Sequence, residues 1–211
     1  FGKYYEAIKA FGSYLKDNAE PAPRRDALYM LGMSYYRTGV YSQVPVTLGE
    51  VTANKDALTQ NAYLHMGLAY LQLADKNKAR MAFEQAAASD ADLKIKEQAS
   101  YNNALCIHET SYSAFGESVT VFENFLNEFP NSAYADKVSS YLVEVYMNTR
   151  SYDAALKSIE RITHPGRAIL EAKQKILFQL GTQSFANTQF EQAIGCFNQS
   201  IALGGYNLQT K

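Results

Sequence analysis

The chain has 211 residues, 20 of them basic and 21 acidic, for a formal net charge of −1. That balance gives no electrostatic case for a nucleic-acid or polybasic membrane partner, and no apolar run reaches the roughly 18 residues a bilayer span needs. Hydrophobic residues make up 47%, with 16 Tyr, 11 Phe, no Trp, and few Gly or Pro. This composition can bury a core and favours long helices over turn-rich β-structure.

The first predicted element is the helix face "YYEAIKAFGSYL", Tyr4 to Leu15, and the last is "FEQAIGCFNQSI", Phe190 to Ile201. They align without a gap. The shared signature is a small or branched residue followed four positions later by an aromatic or aliphatic one. In chain order it occurs at Ala7/Phe11, Val44/Leu48, Ala79/Phe83, Ser118/Phe122, Ala155/Ile159 and Ala193/Phe197. The spacings are 37, 35, 39, 37 and 38 residues, so the chain is a repeat array.

A second signature precedes five of the six. It runs Leu31-Gly32…Tyr35, Met66-Gly67…Tyr70, Asn103-Ala104…Ile107, Leu142-Val143…Tyr146 and Leu180-Gly181…Ser184. The breaks between the two signatures are "RTGVYSQ", "LADKNKA", "ETSYSAFGES", "NTRSYDA" and "ANTQFEQ", rich in helix-ending and helix-capping residues. Each unit therefore reads helix, tight turn, helix. A small residue in each helix lets its partner approach, and stacking buries faces that one hairpin cannot bury alone. The expected units are 1–20, 24–55, 59–90, 95–129, 133–164 and 167–203 of one array over 1–211. The first is an unpaired second helix. Ser42 is expected to cap the helix carrying Pro45, Pro21 and Pro23 to lie in a linker, and "SYSAF" to be a loop insertion. Pro165-Gly166 breaks the chain before the last unit. Both ends leave apolar faces uncapped, which predicts that the natural protein continues in both directions, or that the ends self-associate.

The Gly32…Tyr35…Gly39…Tyr41, Gly67…Tyr70…Ala79…Phe83 and Gly181…Phe190…Ala193…Phe197 runs resemble the tetratricopeptide repeat family. The opening Trp of that pattern is replaced by Leu28, Tyr63, Ser100, Ser139 and Leu177, and the closing Pro occurs once, as Pro130. The resemblance implies an all-α, right-handed α-solenoid of stacked antiparallel hairpins, about five units plus the unpaired helix. It also implies a concave groove lined by first helices that takes a protein or peptide. By spacing, the groove residues are Tyr29, Met33, Tyr36 and Arg37; Asn61, Leu64, Leu68 and Gln72; Tyr101, Asn102, Leu105, His108 and Glu109; Lys137, Glu144 and Asn148; and Lys175, Phe178, Thr182 and Phe185. The alternative for many of them is packing between neighbouring first helices. Where the family's carboxylate-clamp receptors need Asn, this sequence has Met33 and Leu68, which argues against a terminal-carboxylate ligand.

Catalytic motifs are not found: no HExxH, GxSxG or phosphate-cradling glycine loop occurs, and His65, His108 and His164 fall in separate units. Ser111, Ser113 and Ser118 beside His108 and Glu109 read as turn and cap residues. Cys106 and Cys196 sit in helical apolar patterns and read as free thiols, and "NQS" at Asn198 lies within a helix. Neither an enzyme nor a cofactor or metal is expected. The "FPNSAYA" junction, Phe129 to Ala135, is similar to repeats in bacterial envelope proteins such as outer-membrane assembly lipoproteins and the cell-division coordinator of the Tol system. That resemblance implies a periplasmic role in assembling partners, with a cytoplasmic location as the alternative. A glycan- or small-ligand-binding module, or the regulatory repeats of a larger enzyme, are the alternative functions.

Overall fold

Small residues set how closely the helices pack. In the computed structural model, which describes residues 2–17, 20–110 and 116–205, a Cβ added to Gly67 would fall 2.5 Å from the Phe83 ring. One added to Gly181 would fall 2.6 Å from the Phe197 ring, and one on Gly32 would overlap Leu48. In all three hairpins the large residue stands sixteen positions after the glycine. The glycine is the notch into which the second helix places its ring or isobutyl group.

The described residues form eleven α-helices and one short 3₁₀ turn, with no strand among them. Helices α1 (Gly2–Asp17), α2 (Pro21–Thr38), α3 (Val44–Gly49), α4 (Ala57–Gln72), α5 (Lys76–Ala87) and α6 (Leu93–Thr110) lie in one compact unit, 1–110. Helices α7 (Glu117–Glu128), α8 (Ala135–Thr149), α9 (Tyr152–Glu160), α10 (Arg167–Ala186) and α11 (Phe190–Ala202) lie in a second, 111–211. The predicted unit 95–129 is thus divided, α6 packing on α5 in the first unit and α7 on α8 in the second. The predicted insertion at 111–115 lies outside the described residues, as do Phe1 and 206–211.

Both members of the predicted pairs Val44/Leu48, Ala79/Phe83, Ser118/Phe122 and Ala155/Ile159 are buried, and Ala193 is buried beneath a half-buried Phe197. The turns are built alike. Gly39, Ala74 and Thr188 take positive φ, and the N–H that follows each reaches back to the carbonyl of Tyr35, Tyr70 or Ser184. This is the left-handed helix stop expected of such breaks. Arg150 holds the same backbone at the fourth turn.

Two local expectations are corrected. Pro21 and Pro23 belong to the first turn of α2 and not to a linker, because first-turn N–H groups have no helical partner and proline lacks one. Pro45 does sit in the first turn of α3, but Gln43 holds the cap position, since Ser42 is taken into the 3₁₀ turn Tyr41–Gln43. Gly166 caps α10 from an extended conformation after Pro165.

One polar device recurs. Arg25 Nε, Gln60 Nε2 and Gln174 Nε2 each donate to a carbonyl 26 residues on, at Val51, Ala86 and Ser200, at distances of 3.0, 3.0 and 2.8 Å. Each clamps the end of a second helix to the start of its first helix, satisfying carbonyls the helix leaves orphaned. The second unit adds a buried cluster. Ser158 donates to Glu123, Tyr146 meets the Ser158 hydroxyl at 2.5 Å, and Arg161 forks onto both Glu123 oxygens at 2.8 Å.

Candidate functional site: the first-helix face

The face is described in each unit separately. In the first unit α2 and α4 lie side by side, joined by Tyr29, whose hydroxyl donates to Asn61 Oδ1 at 2.9 Å. Asn61 also offers its backbone carbonyl to His65 Nδ1 at 3.0 Å, and the Tyr36 ring meets His65 edge to face at 5.1 Å. Tyr41 closes on the other side of Tyr36 at 5.8 Å. Burial pushes the His65 imidazole below its usual value, so the ring is neutral near pH 7. It also raises the Tyr29 and Tyr36 phenols. Met33 and Arg37, one turn from this cluster, line a cleft of about 450 Å³ with Tyr4, Phe11 and Met30.

His65 was absent from the predicted face. It stands four residues after Asn61, on the flank of α4 that turns to α2, and a single-helix face reading does not show which flank the neighbour covers. Tyr29, Met33, Tyr36 and Asn61 are half-buried, and Arg37 and Gln72 are exposed. Leu64 and Tyr101 are buried at 3% and 7% exposure, which corrects their placement in an open groove; both fill space between packed helices. Leu68 and Leu105 are half-buried. Asn102 is turned back onto the Gln98 carbonyl, His108 is half-buried, and Glu109 pairs with Lys76 of α5 at 3.0 Å.

In the second unit Lys137, Glu144 and Asn148 are exposed on α8. Lys175 pairs along α10 with Glu171 at 3.0 Å. Phe178 lies 5.8 Å from Phe197, which places it in the α10–α11 packing seam and corrects its assignment to the groove. Thr182 and Phe185 are exposed, Phe185 against Phe190.

Among the described residues no group of three His, Cys, Asp or Glu is placed to hold a metal ion, and no helix is long and apolar enough to cross a membrane. Cys106 is a free buried thiol, pushed up to about 11 chiefly by burial, and Cys196 is free and half-buried.

This geometry defines a helical-hairpin repeat protein. Residues 60–93, the bulk of α4 with all of α5, match the tetratricopeptide repeat family model. Among solved structures, a tetratricopeptide repeat protein from Parabacteroides merdae is similar at 20% identity, covering 99% of this chain and 75% of that one, with a TM-score of 0.45. BtubC from P. vanneervenii is similar at 14% identity over 96% and 88% of the two chains, TM-score 0.48. MamA from AMB-1 is similar at 18% over 88% and 95%, TM-score 0.46. No curated protein matches the sequence.

Proposed function

We propose that the chain is a non-catalytic interaction scaffold that binds an extended or helical polypeptide segment on the first-helix face of residues 1–110. The observation that carries this reading is the Tyr29–Asn61–His65–Tyr36 cluster. It holds aromatic rings rigidly at a half-exposed surface, with exposed Arg37 beside it. Pre-positioned tyrosines give large contact area at small entropic cost and carry a polar tip for a peptide backbone. Met33 supplies an adaptable apolar contact. The neutral His65 adds no charge, so Arg37 is the cation of the cluster and favours a segment with an acidic residue. Asn102 and His108, the other first-helix residues of this unit's face, are assigned to the rim of such contacts, and Lys137, Glu144, Asn148 and Lys175 are assigned to partner contacts on the second unit's own face. The "FPNSAYA" junction supports a role in assembling partners in a bacterial envelope, which fractionation of cells expressing the tagged natural protein tests directly.

Selection of 12-residue peptides from a random library on the immobilised chain tests the binding reading. Selected peptides are expected to lose on the order of tenfold or more in affinity with Tyr36→Ala, and to weaken with Arg37→Glu, the salt dependence falling with the charge. Peptides that bind Tyr36→Ala as well as the parent would refute it. So would a glycan array that captures the parent but not Tyr29→Ala or Tyr36→Ala, which would move the site to carbohydrate.

A further inference from the structure

The proton of one histidine is fixed by its partner. Asn61 presents its backbone carbonyl to His65 Nδ1 at 3.0 Å, and a carbonyl oxygen can only accept. Neutral His65 therefore carries its proton on Nδ1, and Nε2 keeps a lone pair. Among the described residues no donor reaches that lone pair. The ring is half-buried and held edge to face against Tyr36 at 5.1 Å. Nε2 is thus an unmet acceptor on a ring that is held in place and only partly covered. Asn61 is the reverse case. Its Oδ1 accepts the Tyr29 hydroxyl at 2.9 Å, which leaves Nδ2 without an acceptor among the described residues. Asn61 and His65 stand one turn apart on α4, a spacing of about 5–6 Å between side chains. The face offers a donor beside an acceptor, and a polypeptide backbone, with one N–H and one C=O per residue, is the complement.

The charges around the ring select the kind of donor. Among the described residues the charged side chain that acts on His65 is Arg37 of α2, and it repels a lysine or arginine head brought to Nε2. The donor that suits this nitrogen is therefore uncharged, as a backbone N–H is. Tyr36 of α2 is the titratable group in contact, and burial raises its phenol, so it stays neutral through the neutral and acid range. Tyr41 of the 3₁₀ turn meets the other side of Tyr36. Neither α5 nor α6 places a charge that acts on the ring among the described residues. Burial holds the imidazole below its usual value, so Nε2 is unprotonated at neutral pH.

We propose that His65 Nε2 accepts a backbone N–H of the bound segment while Asn61 Nδ2 donates to a neighbouring backbone carbonyl, and that acid releases the segment by protonating Nε2. This role rests on the first-helix face being the binding surface. Both contacts go to main-chain groups, so they fix the register and direction of an extended segment and leave its side chains to the tyrosines, Met33 and Arg37. Protonation turns Nε2 from an acceptor into a donor, which then opposes the N–H it had accepted. The sign follows from which form binds. The neutral ring binds, so affinity is full above the lowered value of His65 and falls with pH below it, by at most about tenfold per pH unit for a single proton.

The probe is a histidine-free 12-residue peptide selected on the immobilised chain, labelled and titrated with the whole chain by fluorescence anisotropy between about pH 8 and 4. Binding is expected to hold steady around neutrality and to fall about tenfold or more toward the acid end. His65→Leu removes the acceptor and is expected to weaken binding several-fold at pH 7, with circular dichroism checking the fold. His65→Gln places Oε1 near the position of Nε2 as an acceptor that does not titrate. It is expected to recover part of the affinity that leucine loses and to flatten the acid limb, which separates His65 from carboxylates of the peptide. Replacing the peptide's amides one at a time by esters removes single N–H groups. At one position the ester is expected to weaken binding several-fold to the parent and not to His65→Leu. Two-bond proton–nitrogen spectra of the free chain are expected to place the His65 proton on Nδ1 at pH 7. A proton on Nε2 there, an acid limb that His65→Gln leaves unchanged, or an ester scan with no position coupled to His65 overturns the proposal. Peptides that need Tyr36 but ignore His65 overturn this role alone, whereas peptides indifferent to Tyr36→Ala as well overturn the first-helix site and this role with it.

Discussion

Thr188 holds φ at 61°, a conformation that a β-branched residue adopts at a cost of about 1–3 kcal/mol and that glycine, at Gly39 of the first full hairpin, adopts freely. The turn demands it, since the Gln189 N–H must reach the Ser184 carbonyl. Thr188→Gly is therefore expected to raise the stability of the second unit by about 1 kcal/mol in denaturant unfolding, the relieved strain exceeding glycine's entropy cost. Asp56 presents a different residue-scale case. It caps α4 through the Thr59 N–H and takes a two-pronged bond from Arg25, and that guanidinium holds its carboxyl well below the usual carboxylate range. Because the folded value is depressed, the stabilisation is fully present above the unfolded value near 4 and is lost as pH falls toward the folded value. Asp56→Asn keeps the cap but loses the charge, and half-exposure of the pair limits the cost to about 1 kcal/mol at pH 7. The gap between the two proteins is expected to stay constant from pH 7 to about 5 and to close below about 4 in chemical denaturation.

At the scale of the element, the hairpin seam is a lock between one glycine and one large side chain. Gly67→Ala and Gly181→Ala each force a methyl group into an aromatic ring, and about 1–3 kcal/mol of destabilisation is expected in thermal or urea unfolding. Gly195 is the matched control. It lies within α11 with nothing within 4 Å of an added Cβ, so Gly195→Ala is expected to stabilise by about 0.5–1 kcal/mol. Equal effects at the two kinds of site would mean that helix propensity and not the notch governs them. The seam was legible in the sequence because glycine, small residue and ring recur at fixed spacing. The clamp made by Arg25, Gln60 and Gln174 was not, since long polar residues near a helix start normally read as surface, and only the bonds to Val51, Ala86 and Ser200 reveal their role.

For the whole molecule, the finding is that 1–110 and 111–211 each hold their own core. The clusters around Leu48 and Phe83 lie within the first, and the Glu123–Ser158–Tyr146 network and the Gln174 clamp within the second. Fragments 1–110 and 116–211 are each expected to be helical by circular dichroism and to melt cooperatively when made alone. A fragment that remains unfolded would show that its core borrows stability from the other. Burial in the first unit also protects Cys106, whose thiol, pushed up to about 11, is expected to resist alkylation at pH 8 until the chain unfolds.

By itself the sequence determined the all-α class, the hairpin register and the residues of each seam, because close packing of helices needs small and large side chains at fixed intervals and those intervals are written in the chain. Tertiary structure decided which apolar residues are covered. Tyr101 and Phe178 carry groove-like spacing yet lie in packing, while Phe190 and Ile194 carry core-like spacing yet face solvent. Spacing fixes a side chain's direction around its own helix axis. Whether anything waits in that direction depends on a neighbour encoded dozens of residues away.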